Sequence, residues 1–247
     1  MLYLILALVS FFVLVIVIIF LRKRVVPLFR LWYISLVHGR YSFEFLEFFK
    51  ENNLRNPHNS CVKDEITLHF MVFFRPLKNA QEYTTNTRID FDDIPYMISE
   101  KKLFKLKGVP DCVNITTFND ARVKVVGYNE TLQGMKMKSL YYFIDNQFLM
   151  GEYVFPELLR VKPVKIKETL SAKYLNKVSL DGDVFYITDN EGNKLCYEYN
   201  GFSIGIKYLY LGDTGLTQVL TNLFRNGSDG RSNFVKALHN DEMLNRF

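Results

Sequence analysis

Residues 2–20 read LYLILALVSFFVLVIVIIF, nineteen positions without a charge, opening at Leu2 and closing at Phe20. At a rise of 1.5 Å per residue, a helix of that length spans about 30 Å, the thickness of a bilayer's hydrocarbon core. Arg22, Lys23 and Arg24 follow as a basic stop. The pattern predicts an uncleaved single-pass transmembrane helix, a signal anchor, over residues 1–24. A secretory signal would carry basic residues before a shorter apolar core, and a buried core helix is rarely apolar all round.

A helical juxtamembrane segment is expected over residues 25–60. Phe29, Arg30, Trp32 and Tyr33 mix aromatic and basic side chains as an interfacial segment does, with the bilayer as partner. Phe45, Leu46, Phe48 and Phe49 then recur at helical spacing and read as a core stripe.

Alternation takes over after Asn59. Ile66, Leu68, Phe70, Val72 and Phe74 lie two apart, which predicts a strand over residues 65–74 with His69 on its other face. Asp92 or Asp93 reads as the N-cap of a helix with Pro95 in its first turn and Gly108 at its end. Strands are expected over residues 121–128, 138–144 and 148–155, the last two joined by a hairpin at Asp145-Asn146-Gln147. A short helix over 167–175, strands over 183–188, 194–199 and 202–211, and helices in the tail complete the pattern. The alternation in 202–211 buries Phe202, Ile204, Ile206, Tyr208 and Tyr210 and leaves Ser203, Gly205 and Lys207 open to a partner or solvent.

The expected fold class is α+β: a transmembrane helix, then antiparallel sheet domains with packed helices. Pro156 and Pro163 in a basic stretch mark a boundary between a first α+β half, 61–160, and a second β-rich half, 161–247, with C-terminal helices. With 22 Phe and 15 Tyr among 247 residues, the chain can build a large aromatic core.

Charge adds topology. Arg22, Lys23, Arg24, Arg30 and Arg40 all follow the apolar run, and the positive-inside bias places the C-terminal domain in the cytoplasm with the anchor in the cell membrane. Cys61, Cys112 and Cys196 are odd in number and widely spaced, as expected of buried thiols in a reducing compartment. The net charge of +5 is concentrated next to the anchor, and no nucleic-acid signature accompanies it. Direct nucleic-acid binding is not expected.

Candidate chemistry is sparse. No nucleotide-binding loop, metalloprotease motif or nucleophile elbow is present, and no cofactor is implied. Asp90, Asp92 and Asp93 suit a helix N-terminus better than a metal. Asp181, Asp183, Asp189 and Glu191 suit turns better than calcium.

The stretch LFKLKGVPDC, with the strands that follow it over about residues 92–156, resembles the small α+β accessory domains of the BamE/SmpA type. Those domains place a helix ending in a Gly-x-Pro turn before three antiparallel strands. The turn is Gly108-Val109-Pro110 here. The resemblance implies a noncatalytic accessory role and carries over no catalytic residue. The expected function is therefore a membrane-anchored interaction domain that binds a protein partner. The alternatives are a sensor with an aromatic-rich pocket for a lipid or small ligand, and a hydrolase without a recognised motif. Clustering of Cys112 or His69 with carboxylates would favour the hydrolase.

Overall fold

The computed structural model describes residues 11–13, 15, 17–18, 21–62, 66–74, 80–118, 120–132, 135–155, 162–212, 214–221 and 224. The chain divides into two units, residues 1–57 and 58–247.

In the first unit, a π-helical turn, Leu21–Val25, leads into α1, Val26–Val37, with Pro27 in its first turn. Proline fits there because the first amides of a helix have no intrahelical acceptor. Helix α2, Phe43–Glu51, is capped by Ser42, whose Oγ accepts from the Phe45 N–H at 3.1 Å. It buries Phe43, Phe45, Leu46 and Phe48, which includes three residues of the stripe read from the sequence.

The transmembrane expectation is corrected. Among the described residues, no helix is long and apolar enough to cross a membrane. Most of the apolar run itself, residues 2–10, 14, 16, 19 and 20, lies outside the described residues. Neither the single-pass anchor nor the cell-membrane localisation with a cytoplasmic C-terminal domain is supported. Leu2 and Phe20 lie outside the described residues.

The second unit is a mixed α/β fold dominated by one sheet, in place of antiparallel sheet domains behind an anchor. Its strands are β1 Gln81–Thr84, β2 Cys112–Phe118, β3 Ala121–Leu132, β4 Met135–Ile144, β5 Gln147–Phe155, β6 Val184–Thr188, β7 Lys194–Tyr199 and β8 Ile204–Leu209. They lie in the order β1-β6-β7-β8-β5-β4-β3-β2. β1 runs parallel to β6, and the other neighbours are antiparallel. The pairing of β5 with β8 continues the sheet from the strands before residue 160 into those after it.

Among the described residues, four helices accompany the sheet: α3 Ile66–Phe74, α4 Glu100–Lys107, α5 Pro163–Tyr174 and α6 Thr214–Thr221. One core joins Ile66, Phe70 and Phe73 of α3 and Leu220 of α6 to Val125, Leu140, Tyr142, Met150, Cys196 and Leu209 of the sheet. The other joins residues 89–98, Leu103 of α4 and Leu170 and Tyr174 of α5 to Tyr141, Phe148, Tyr197, Ile206 and Tyr208. Both faces of the central strands are therefore buried.

Several expectations change. Residues 66–74 form a helix, because the run is apolar almost throughout and satisfies a period of 3.6 as well as a period of two. Ile66, Phe70 and Phe73, spaced i, i+4, i+7, are buried while Leu68 is exposed. Helix α4 starts at Glu100 behind Ser99, and Asp92 and Asp93 sit in left-handed turns at φ 56° and 53°. Gly108 ends α4 at φ 83°. The cysteines are not three free thiols: Cys61 and Cys112 form a disulfide, and Cys196 is free and buried. Lys207 does not face solvent. Its residue is only 7% exposed.

Candidate functional site

Four adjacent strands and one helix converge on a buried ionic network. In register, Glu152 of β5 stands opposite Lys207 of β8, and Lys207 stands opposite Cys196 of β7. Strand alternation places Glu152, Lys207 and Tyr142 of β4 on the face under α3. His69, one turn into α3, points its imidazole at them.

His69 Nδ1 lies 2.8 Å from Glu152 Oε2 and 3.0 Å from the Tyr142 hydroxyl. Tyr142 donates to the same Glu152 oxygen. The Lys207 ammonium is 3.9 Å from Glu152 Oε1 and pairs closely with Glu198 of β7. The chain of contacts thus runs from the half-buried edge at His69 to the half-buried edge at Glu198. A charge in this position would be costly without such partners.

The electrostatics follow from burial and from these contacts. Burial alone would raise the Glu152 carboxyl. The hydrogen bond and charge of His69, the Lys207 ammonium and the Tyr142 hydroxyl outweigh it and bring the carboxyl below its ordinary value. Burial and the neighbouring Glu152 push the Tyr142 phenol well up. Burial pushes the Cys196 thiol up to about 12, against the opposing pull of Lys207 and Tyr186. A neutral phenol and a protonated thiol are weak nucleophiles.

A second polar cluster lies on the opposite face. The Asp92 carboxylate accepts from the Tyr141 hydroxyl and, at 3.4 Å, from the Tyr153 hydroxyl. Lys107 pairs with Asp92 and, at 3.1 Å, with Glu130. The ammonium stands where a cation would be needed, and Asp92 anchors the loop before α4. Asp189 has a comparable turn role. Its carboxylate accepts from the backbone N–H of Ile89 at 2.9 Å, of Glu191 at 2.9 Å and of Asn193 at 2.8 Å. Among the described residues, no group of three or more His, Cys, Asp and Glu residues is arranged to hold a metal ion.

A cavity of about 580 Å³ opens between α5 and the turn after it, lined by Val164, Lys167, Ser171, Lys177, Leu180 and Asp181 among others. Its walls are aliphatic and charged, not aromatic as a lipid-sensing pocket was expected to be.

The residues singled out for an interface fall on the first unit. Arg22, Lys23 and Arg24 belong to the π-helical turn, and the Arg22 side chain is exposed. On α1, Phe29 and Trp32 stack with ring centres 5.5 Å apart, Tyr33 is exposed, and the Arg30 guanidinium lies 5.7 Å from the centre of the Phe48 ring. No residue of α1 is buried.

Of the network, sequence reasoning singled out His69 and Lys207, the latter on the wrong side of the solvent boundary. It missed Tyr142, Glu152 and Glu198. The available signal was a single Glu in FLMGEYVF and a single Lys in IGIKYL: lone charges inside apolar strands call for partners. No protein-family model, curated protein or solved structure matches this chain.

Proposed function

We propose that the chain is a noncatalytic interaction domain that presents α1 to an apolar groove on a protein partner. One observation supports this reading above others. Phe29, Trp32 and Leu36 recur at i, i+3 and i+7 and are 64%, 57% and 68% exposed. That spacing is how a helix docks into a groove. Trp, Tyr and Arg are the residue types on which interface affinity concentrates, and Trp32, Tyr33 and Arg30 share this helix. Exposed apolar surface of this extent is uncommon on a solvated helix. The resemblance to small accessory domains, carried by α4, its Gly108-Val109-Pro110 turn and the strands β3–β5, points the same way.

A photo-crosslinking side chain at position 32, compared with one at exposed Val109, tests the reading. The expected result is a discrete protein adduct from position 32 alone, lost in a Phe29→Asp/Leu36→Asp variant whose melting temperature is unchanged. Adducts to lipid only, or equal adducts from both positions, would overturn it.

A hydrolase is the second reading, favoured by the contact of His69 with Glu152. An imidazole held by a carboxylate is the base half of a nucleophile–base pair. The hydroxyl beside it belongs to Tyr142, which burial holds neutral. Loss of cellular function in a folded His69→Gln variant would favour this reading over the first.

A further inference from the structure

Strand β2 forms one edge of the sheet, and its first residues are covered. Asn59 makes a parallel bridge to Cys112, and the Val113 N–H donates to the Asn59 carbonyl at 3.0 Å. Asn114 reaches back to the same segment. Its carboxamide oxygen accepts from the Cys61 N–H, and its Nδ2 donates to Ser60 Oγ at 2.8 Å. Residues 59–61 thus lie as a strap along the edge that would otherwise offer unpaired amides and carbonyls.

The strap is tied by the Cys61–Cys112 disulfide, with Cα atoms 5.0 Å apart and a separation of 51 positions in sequence. The neighbouring strand has room for the sulfurs. Gly127 pairs with Cys112 in register. A Cβ at Gly127 would stand 2.5 Å from Cys112 Sγ and 3.0 Å from Cys61 Sγ, closer than side chains tolerate. Both cysteines are buried in the core under α3, and Cys196, on β7, is separated from β2 by four strands in the sheet order.

We propose that Cys61 and Cys112 are a native oxidation site, filled as the protein matures in an oxidising compartment, and that the bond locks the strap onto β2. The oxidant is the disulfide of a thiol–disulfide oxidoreductase. One thiolate of the pair attacks it to give a mixed disulfide, and the second thiolate displaces the enzyme. The chain loses two electrons and two protons, one S–S bond forms, and the enzyme leaves as a dithiol. Disulfides persist in oxidising compartments and are rare in reducing ones. Backbone pairing, a missing Cβ and shared burial all converge on this one bond. This inference is independent of the role of α1.

Acid quenching of the cells that make the full chain, followed by alkylation with N-ethylmaleimide in denaturant, tests the proposal. One adduct, on Cys196, is expected before reduction, and three after it, with a bridged peptide joining Cys61 to Cys112. Three adducts before reduction, or a bridged peptide containing Cys196, would overturn it. Hydrogen exchange then reads the strap. Reduction should speed exchange at the Val113 amide on the order of tenfold or more while Tyr208 stays protected. Unchanged exchange at Val113 would overturn the locking role.

Discussion

Lys207 and Glu152 face each other across β8 and β5, and neither can be altered cheaply. Lys207→Glu would set three carboxylates together in a buried site. Removing one partner of a buried pair costs about 3–5 kcal/mol, and urea unfolding should show at least that loss. Unchanged stability would mean that the network is more hydrated than its burial indicates. Gly151 is equally constrained for a different reason. A Cβ there would stand 2.1 Å from Cγ of the Phe91 ring, a core residue that is fully buried. Gly151→Ala should therefore cost about 1–3 kcal/mol, and pairing it with Phe91→Leu should recover part of the loss. Glu152 also sets an acid limit. Its carboxyl is lowered in the folded state, so the stability it contributes is present above the ordinary glutamate value of about 4.3 and fades as pH falls through the folded value. Glu152→Gln should remove that part of the acid dependence. Parallel melting curves of the two proteins from pH 6 down to acid would contradict it.

At the scale of elements, the strap and α3 depend on pairing with residues far away in sequence. A bond closing a loop of 51 residues removes chain entropy worth about 4 kcal/mol from the unfolded state. Reduction should lower stability by a comparable amount, read from the denaturant midpoint of the reduced and alkylated chain. The elements legible in the sequence were the ones whose signals are local. Asp145 and Asn146, at φ 44° and 71°, make the two-residue hairpin turn between β4 and β5. Gly108 ends α4. The strands around residues 121–155, 184–199 and 204–209 are short runs of β-branched and aromatic residues, alternating at 121–128 and 204–209. β1 was missed because QEYT is a short polar edge strand that shows itself only through the neighbour it pairs with, and β2 was missed although Val113, Ile115, Thr116, Thr117 and Phe118 favour a strand. Helix α3 was misread because a uniformly apolar run has no period to measure. The lone charges of the network were legible and their pairing was not: the contact of His69 with Glu152 spans 83 residues, and only the sheet order brings them together. The aromatic and basic composition of α1 was legible, and its exposure was not.

For the whole molecule, the tyrosines make the fold alkali-labile. Burial raises the phenols of Tyr128, Tyr141, Tyr142, Tyr153 and Tyr208 above their ordinary value. Their neutral forms are favoured in the folded state, so that contribution is complete below the unfolded value of about 10 and is lost as pH rises above it. The phenolate absorbance of these buried tyrosines should appear in one cooperative step that coincides with loss of near-ultraviolet circular dichroism. Gradual titration of all the tyrosines near pH 10 with the dichroism intact would count against this packing.

The sheet order has a consequence for biosynthesis. β8 lies between β7 and β5, so the second partner of β5 is, among the described strands, the last to leave the ribosome. About fifty residues separate Phe155 from Ile204, and translation at 5–20 residues per second takes about 2–10 s to cover them. During that interval the nascent meander of β2 to β5 carries an apolar strand, FLMGEYVF, with one side unpaired. A chaperone that shields this edge during that interval should raise the yield of folded protein.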